Sequence, residues 1–218
     1  MQRHDFHPTS LREYDIRGII GETLGEQDAH AIGRGFGTVV RRAGGSRVCV
    51  GYDGRHSSPR LERALVEGLM ASGCEAIRIG LGSTGMLYFS VSELGADGGV
   101  MITGSHNPPD YNGFKMLLKD RPFFGADIRA LGVAAAAGDW ETGEGSSREV
   151  RLPVSSSLVN RAVTGSAVWM PCCRRVRRTA NSSAMLLFIS STPGPHSFWS
   201  SRRKGSRARV PRSKTVSM

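Results

Sequence analysis

Residues 98–109 read Gly98-Gly99-Val100-Met101-Ile102-Thr103-Gly104-Ser105-His106-Asn107-Pro108-Pro109. The first six make a short apolar run that ends on a turn signal, the pattern of a buried strand. The next six are small, polar or Pro, so the chain leaves the strand on a loop carrying a hydroxyl, an imidazole and an amide. In α/β sheets the carboxyl edge of a strand is where ligands bind. Gly104 lets backbone approach closely, and free N–H groups around Ser105 could cradle an anion. By composition alone, Ser, Asn, Pro and Gly could equally make nothing more than a turn.

Upstream of this stretch the same unit repeats. Glu26 to Arg42 places Ala29, Ile32, Phe36 and Val39-Val40 at helical spacing, and Ala43-Gly44-Gly45 stops the helix. Arg47 to Tyr52 reads as a buried strand, followed by the polar turn Asp53 to Ser58 and by Pro59, a favoured first helical residue, with Leu61, Leu65, Leu69 and Met70 on the helix. A strand over Glu75 to Ile79, a Gly-rich turn over Gly80 to Gly85 and a helix over Met86 to Leu94 lead into the strand at Gly98. Downstream come a strand over Phe114 to Leu118 and a helix from about Gly125 to Ala137. Strands alternating with helices predict an α/β fold, with a three-layer mixed sheet between helices over residues 1–150. From Gly143 onward no period is legible, and no secondary structure is assigned.

The charges divide the chain at the same place. All 19 acidic residues lie between Asp5 and Glu149 with 16 of the 29 Lys and Arg, a net of −3; residues 151–218 hold the other 13 basic residues and no Asp or Glu. Ordinary domains balance the two signs, so 68 residues without an acid form a different text. The expectation is a disordered Arg/Ser-rich tail over 151–218. Its basic pairs, such as Arg174-Arg175 and Arg202-Arg203, could neutralise nucleic-acid phosphates if the tail is genuine, but aromatic stacking platforms are sparse. A frameshift near residues 143–153 in a GC-rich gene explains the loss of acids and periodicity together, and out-of-frame sequence is the expectation for the tail. Cys49, Cys74, Cys172 and Cys173 lack metal or disulfide spacing, and MQRHDFHPTS lacks an apolar leader. No membrane partner and a cytoplasmic location are expected.

Thr103-Gly-Ser-His-Asn-Pro-Pro109, with Lys115 ten residues after Ser105, is similar to the serine loop of the α-D-phosphohexomutases, the phosphomannomutase/phosphoglucomutase family. Tyr14-Asp15-Ile16-Arg17-Gly18, Gly51-Tyr-Asp53-Gly-Arg55 and Met86-Leu-Tyr-Phe89 agree with it in the right order. The resemblance covers residues 6 to about 150 and concerns the N-terminal, phosphoserine-bearing domain. It implies an isomerase that moves a phosphoryl group between the 6- and 1-positions of a hexose phosphate, by way of a hexose bisphosphate. Ser105 would carry the phosphoryl group, and Lys115 would be the general acid/base at the sugar hydroxyl. His106 would assist beside the serine, Arg17 would clamp phosphate oxygens, and Tyr14 and Asn107 would help to bind phosphate. Mg²⁺ would sit on the phosphate of Ser105, with three aspartates of an Asp-Gly-Asp-x-Asp-Arg loop. The 218 residues contain no such loop, and the expectation is therefore a truncated, inactive fragment. Read from the residues alone, Arg17 could be a surface ion pair to Asp15 or Glu13, Lys115 a solvated loop cation and His106 a turn residue. Gly80-Leu-Gly82-Ser-Thr-Gly85 also fits a dinucleotide-binding turn, yet the next strand ends in Thr103-Gly104 where an acid should meet the ribose.

Overall fold

The computed structural model describes residues 3–151. The tail over 152–218, with every expectation about it, lies outside the described residues. Seven strands and four helices follow one another as β1 (Ile16–Ile19), α1 (Glu26–Arg42), β2 (Arg47–Tyr52), α2 (Ser58–Ala71), β3 (Glu75–Leu81), α3 (Thr84–Glu93), β4 (Gly98–Ile102), β5 (Tyr111–Leu118), β6 (Pro122–Phe123), α4 (Ala126–Ala137) and β7 (Ser146–Glu149). The sheet runs β1-β5-β4-β2-β3-β7, with β6 added beside β5. Strands β4, β2, β3 and β7 are mutually parallel, whereas β5 is antiparallel to both β4 and β1. The expected mixed sheet is therefore parallel on one side and antiparallel on the other.

Alternation sorts the side chains of the central strands into two cores. Val48, Val50, Val100, Ile102, Phe114 and Met116 face one way, against Ile32 and Phe36 of α1, Leu61 and Leu65 of α2, and Ile128 and Leu131 of α4. Cys49, Ile77, Ile79 and Met101 face the other way, against Leu87 and Val91 of α3. Strands covered on both faces read as unbroken apolar runs, which is why β2 and β4 were plain in the sequence. Helix α1 occupies its predicted span. Asp28 accepts the Gly25 N–H at 2.7 Å, and Glu26 and Asp28 in the first turn with Arg41 and Arg42 in the last complement the helix dipole.

Some boundaries differ from expectation. Strand β5 begins three residues early because Tyr111, Asn112 and Gly113 pair with Ile19, Gly18 and Arg17 of β1. Strand β3 runs on through Gly80 and Leu81, and α3 starts at Thr84, so the Gly-rich turn is only Gly82-Ser83, where Ser83 caps the helix. The largest correction is β7. No period is legible in the sequence beyond Gly143, yet Ser146–Glu149 pairs in parallel with Glu75–Arg78. All four β7 residues are exposed, so no apolar alternation announced them. Backbone pairing to β3 recruits them, with Arg148 on Glu75 at 2.6 Å and Arg78 on Glu149 at 3.2 Å. Strand formation here is a property of the neighbouring edge rather than of the residues themselves.

Candidate active-site loop

Strands β2 and β4 lie side by side and parallel, so the loops after them leave the sheet together at its carboxyl edge. The loop after β4 carries Ser105, His106 and Asn107; the loop after β2 carries Asp53, Arg55 and Ser57. Ser105 is exposed, with φ at +54°, the one non-glycine residue in the left-handed region among the described residues. An L-residue adopts that backbone only under restraint. Its N–H donates to Thr103 Oγ1 at 2.9 Å, which closes a tight turn at the end of the strand. Ser105 Oγ stands 3.5 Å from His106 Nδ1, so the imidazole borders the hydroxyl. Asn107 Nδ2 is buried and has no hydrogen-bond partner among the described residues.

Beneath the loop, Asp53 accepts hydrogen bonds from Ser58 Oγ at 2.7 Å, from the Arg55 N–H at 3.1 Å and from the Gly104 N–H at 3.2 Å. Burial pushes the carboxyl of Asp53 upward, but the hydrogen bonds from Ser58, Thr103 and these amides outweigh it and hold the group below the usual range. Fully buried Asn112 extends the network, donating to Ser57 Oγ at 2.8 Å and Ser58 Oγ at 2.9 Å while its carbonyl accepts the Gly113 N–H at 2.9 Å. The Arg55 guanidinium donates to the carbonyl oxygens of Ser105 at 3.1 Å, Asn107 at 2.7 Å, Pro108 at 2.5 Å and Tyr111 at 2.9 Å. A wide depression of about 830 Å³ flanks this loop, bordered by Ile20, Asp53, Arg55, Ser57 and Asp110; Ser105, Arg17 and Lys115 do not line it.

Arg17 on β1 pairs across the sheet with Gly113, and Lys115 on β5 pairs with Met101. Cross-strand partners and residues two apart share a face, so Arg17 and Lys115 project to the side on which Met101 lies. Arg17 and Thr103 flank Gly113 from opposite sides, two strand spacings or roughly 10 Å apart. The Asp15 carboxylate binds the Arg17 guanidinium and lies 3.7 Å from Lys115 Nζ. Arg17 is thus paired with Asp15, but buried rather than at the surface, and its Nε has no partner among the described residues. Lys115 belongs to a strand, not to a loop, and its side chain is 33% exposed. Tyr14 is 74% exposed and stacks on Phe124 at 6.2 Å. The structure therefore brings Ser105, His106 and Asn107 together with Arg55, and Arg17 together with Lys115 through Asp15. Sequence reasoning gave no part to Arg55, Asp53 or Asn112. Asp53 and Arg55 lie within the Gly51–Arg55 agreement, which is the one signal the sequence offers for them, and Asn112 has none.

The described residues do not fit the implied Mg²⁺. Among them no group of three or more His, Cys, Asp or Glu could hold a metal, and Asp53, the carboxylate at the loop, already accepts several donors. Cys49 and Cys74 are free and buried, and burial pushes the Cys49 thiol up to about 12. Among the described residues no helix is long and apolar enough to cross a membrane.

An α/β/α domain with a polar serine loop at the carboxyl edge of its parallel strands is the arrangement that these observations define. The model of the phosphoglucomutase/phosphomannomutase alpha/beta/alpha domain I matches residues 8–134, and the chain belongs to that family. A phosphomannomutase/phosphoglucomutase of Pseudomonas aeruginosa is 42% identical over 146 residues, covering 66% of this chain and 32% of that protein. A phosphoglucomutase of Neisseria gonorrhoeae is 47% identical over 122 residues, covering 56% of this chain and 26% of that one. A crystal structure of a phosphoglucomutase/phosphomannomutase family protein from Burkholderia thailandensis superposes with a TM-score of 0.67 at 40% identity, over 73% of this chain and 36% of that chain. The chain spans about a third of the length of the curated relatives it matches.

Proposed function

We propose that this chain supplies the phosphoacceptor domain of a phosphomannomutase/phosphoglucomutase-type phosphoryl transfer, with Ser105 as the acceptor. The observation that carries the reading is the exposed Ser105 hydroxyl, held in a restrained backbone at the carboxyl edge of β4. In the charging step, Ser105 Oγ attacks a phosphorus of a hexose bisphosphate. The new Oγ–P bond replaces the P–O bond to the sugar, the serine proton passes to His106, the Lys115 ammonium protonates the departing sugar oxygen, and a hexose monophosphate leaves. In the return step, a hexose-phosphate hydroxyl gives its proton to the Lys115 amine as its oxygen takes the phosphoryl group from Ser105, and His106 returns its proton to the departing Ser105 Oγ. Arg17 offers a guanidinium to phosphate oxygens and Tyr14 and Asn107 offer donors. Mg²⁺ would need carboxylates beyond the described residues, and no step is routed through it. Residues 1–150 are proposed as the domain and 151–218 as out-of-frame sequence. Resequencing the coding DNA from about codon 135 tests that boundary, and a confirmed frame overturns it.

The test of the acceptor uses the 218-residue chain incubated with glucose 1,6-bisphosphate. Intact mass is expected to rise by one phosphate, and Ser105→Ala is expected to abolish the gain. A chain that takes up no phosphate, or a Ser105→Ala variant that takes it up equally, overturns the assignment.

A further inference from the structure

We propose that Arg55 is the positioning residue of the serine loop: its guanidinium, seated under residues 105–111, holds Ser105 in the left-handed backbone that presents the hydroxyl outward. Ser105 at φ +54° needs an external restraint, because an L-residue does not favour this conformation. Arg55 provides one from a different strand connection. Its two terminal nitrogens reach the carbonyl oxygens of Ser105, Asn107, Pro108 and Tyr111, which span the whole loop. Its Nε stands 3.3 Å from Asp53 Oδ2, and the same Asp53 oxygen accepts the N–H of Gly104, the residue before Ser105. The loop is thus gripped at its entrance by Asp53 and along its length by Arg55.

Two further facts distinguish this role from that of a phosphate clamp. A guanidinium has five N–H donors, and here the four on its terminal nitrogens engage four carbonyls while Nε faces the Asp53 carboxylate as an ion pair, so the fork is turned into the loop rather than toward an incoming phosphate. Gly104 also matches the guanidinium. A Cβ at that position would stand 2.3 Å from Arg55 Cζ and Nε, so the loop backbone lies directly on the planar group. Lysine, a single ammonium without the fork, could not reach carbonyls spread from Ser105 to Tyr111. Arg55 therefore acts through Ser105 and not on the substrate.

The rate readout of this proposal rests on Ser105 being the phosphoacceptor, whereas its hydrogen-exchange readout does not. The full chain and its Arg55→Lys and Arg55→Ala variants are incubated with saturating glucose 1,6-bisphosphate and followed by intact mass. Both variants are expected to charge roughly 100-fold more slowly, the scale of an ångström-level misplacement. Millimolar guanidinium is expected to restore the Arg55→Ala rate by about ten-fold, and equal methylammonium is not, because the missing element is the fork. In the same variant, amide exchange should quicken across residues 103–112 and stay unchanged across residues 75–81. Charging of Arg55→Ala at the unsubstituted rate, exchange unaltered at 103–112, or exchange raised throughout the domain each overturns the proposal. If the unsubstituted chain takes up no phosphate, the acceptor reading fails, and exchange at 103–112 alone decides the role of Arg55.

Discussion

The two halves of the sheet treat the same physical problem differently. At the centre of the parallel half, β2 and β4 are covered on one face by α1 and α2 and on the other by α3, and Val48, Cys49, Val50, Val100, Met101 and Ile102 all meet hydrocarbon. In the antiparallel half, β5 and β1 keep one face on that core through Ile16, Phe114 and Met116, while the opposite face carries Arg17, Lys115 and the carboxylate between them. The difference teaches that the domain separates stability from chemistry by face. Charge gathers on the face of β1 and β5 away from that core, and the loop after β4 opens at the border between the two halves.

Substitutions can break or sharpen that division. Phe36, fully buried and edge-to-face with Phe123 at 5.4 Å, anchors the core beneath the antiparallel half; Phe36→Ala is expected to cost about 3–5 kcal/mol in denaturant unfolding. Asn112 lies on the border. Asn112→Ala removes the donor to the Ser57 and Ser58 hydroxyls and the acceptor of the Gly113 N–H, leaving Ser58 its bond to Asp53, and about 2 kcal/mol of lost stability is expected by the same measurement. A near-neutral result at Asn112 would mean that the polar network under the loop is not stabilising.

Acid should act on both regions. The folded-state value of Asp53 is held below its unfolded value near 3.8, so its contribution is present above about pH 4 and is lost as pH falls further. His30, on α1, is lowered from 6.5 first by burial and then by Arg34. Its unfolded form binds the proton that the folded form resists, so stability declines as pH drops below about 6.5. Unfolding free energies measured from pH 7 to 5 should flatten in His30→Gln, and those from pH 5 to 3 should flatten in Asp53→Asn. The smallest effect on stability is expected on the open face. Lys115→Met should change the unfolding free energy by no more than about 0.5 kcal/mol. The same variant should slow phosphoryl transfer to a hexose phosphate by about 10²–10⁴-fold in a quenched assay. Destabilisation as large as that of Phe36→Ala would contradict the separation of the two faces.

Much of this architecture was legible because its elements announce themselves locally. Helix α1 shows its period and its stop, and β2 and β4 show continuous apolar runs, since each is decided by residues close in sequence. The serine loop was legible for the same reason, as Thr103 to Pro109 is one contiguous segment. Strand β7 was not, because four exposed residues carry no pattern and become a strand only beside β3. Arg55 showed only its place in the Gly51–Arg55 agreement and nothing of its role, for its partners lie fifty and more residues away on another connection.

The sequence by itself determined the α/β alternation, the span of α1 and the place of a serine loop at the end of an apolar strand, because period, turn chemistry and capping act over a few residues. Only the tertiary structure decided the strand order, and with it the neighbours. Placing β5 between β1 and β4 puts Asp15 between Arg17 and Lys115, and placing β2 beside β4 puts Arg55 under Ser105. The physical reason is that strand order follows from which faces bury the most apolar surface and which edges complete their hydrogen bonds, and both are sums over residues distant in the chain.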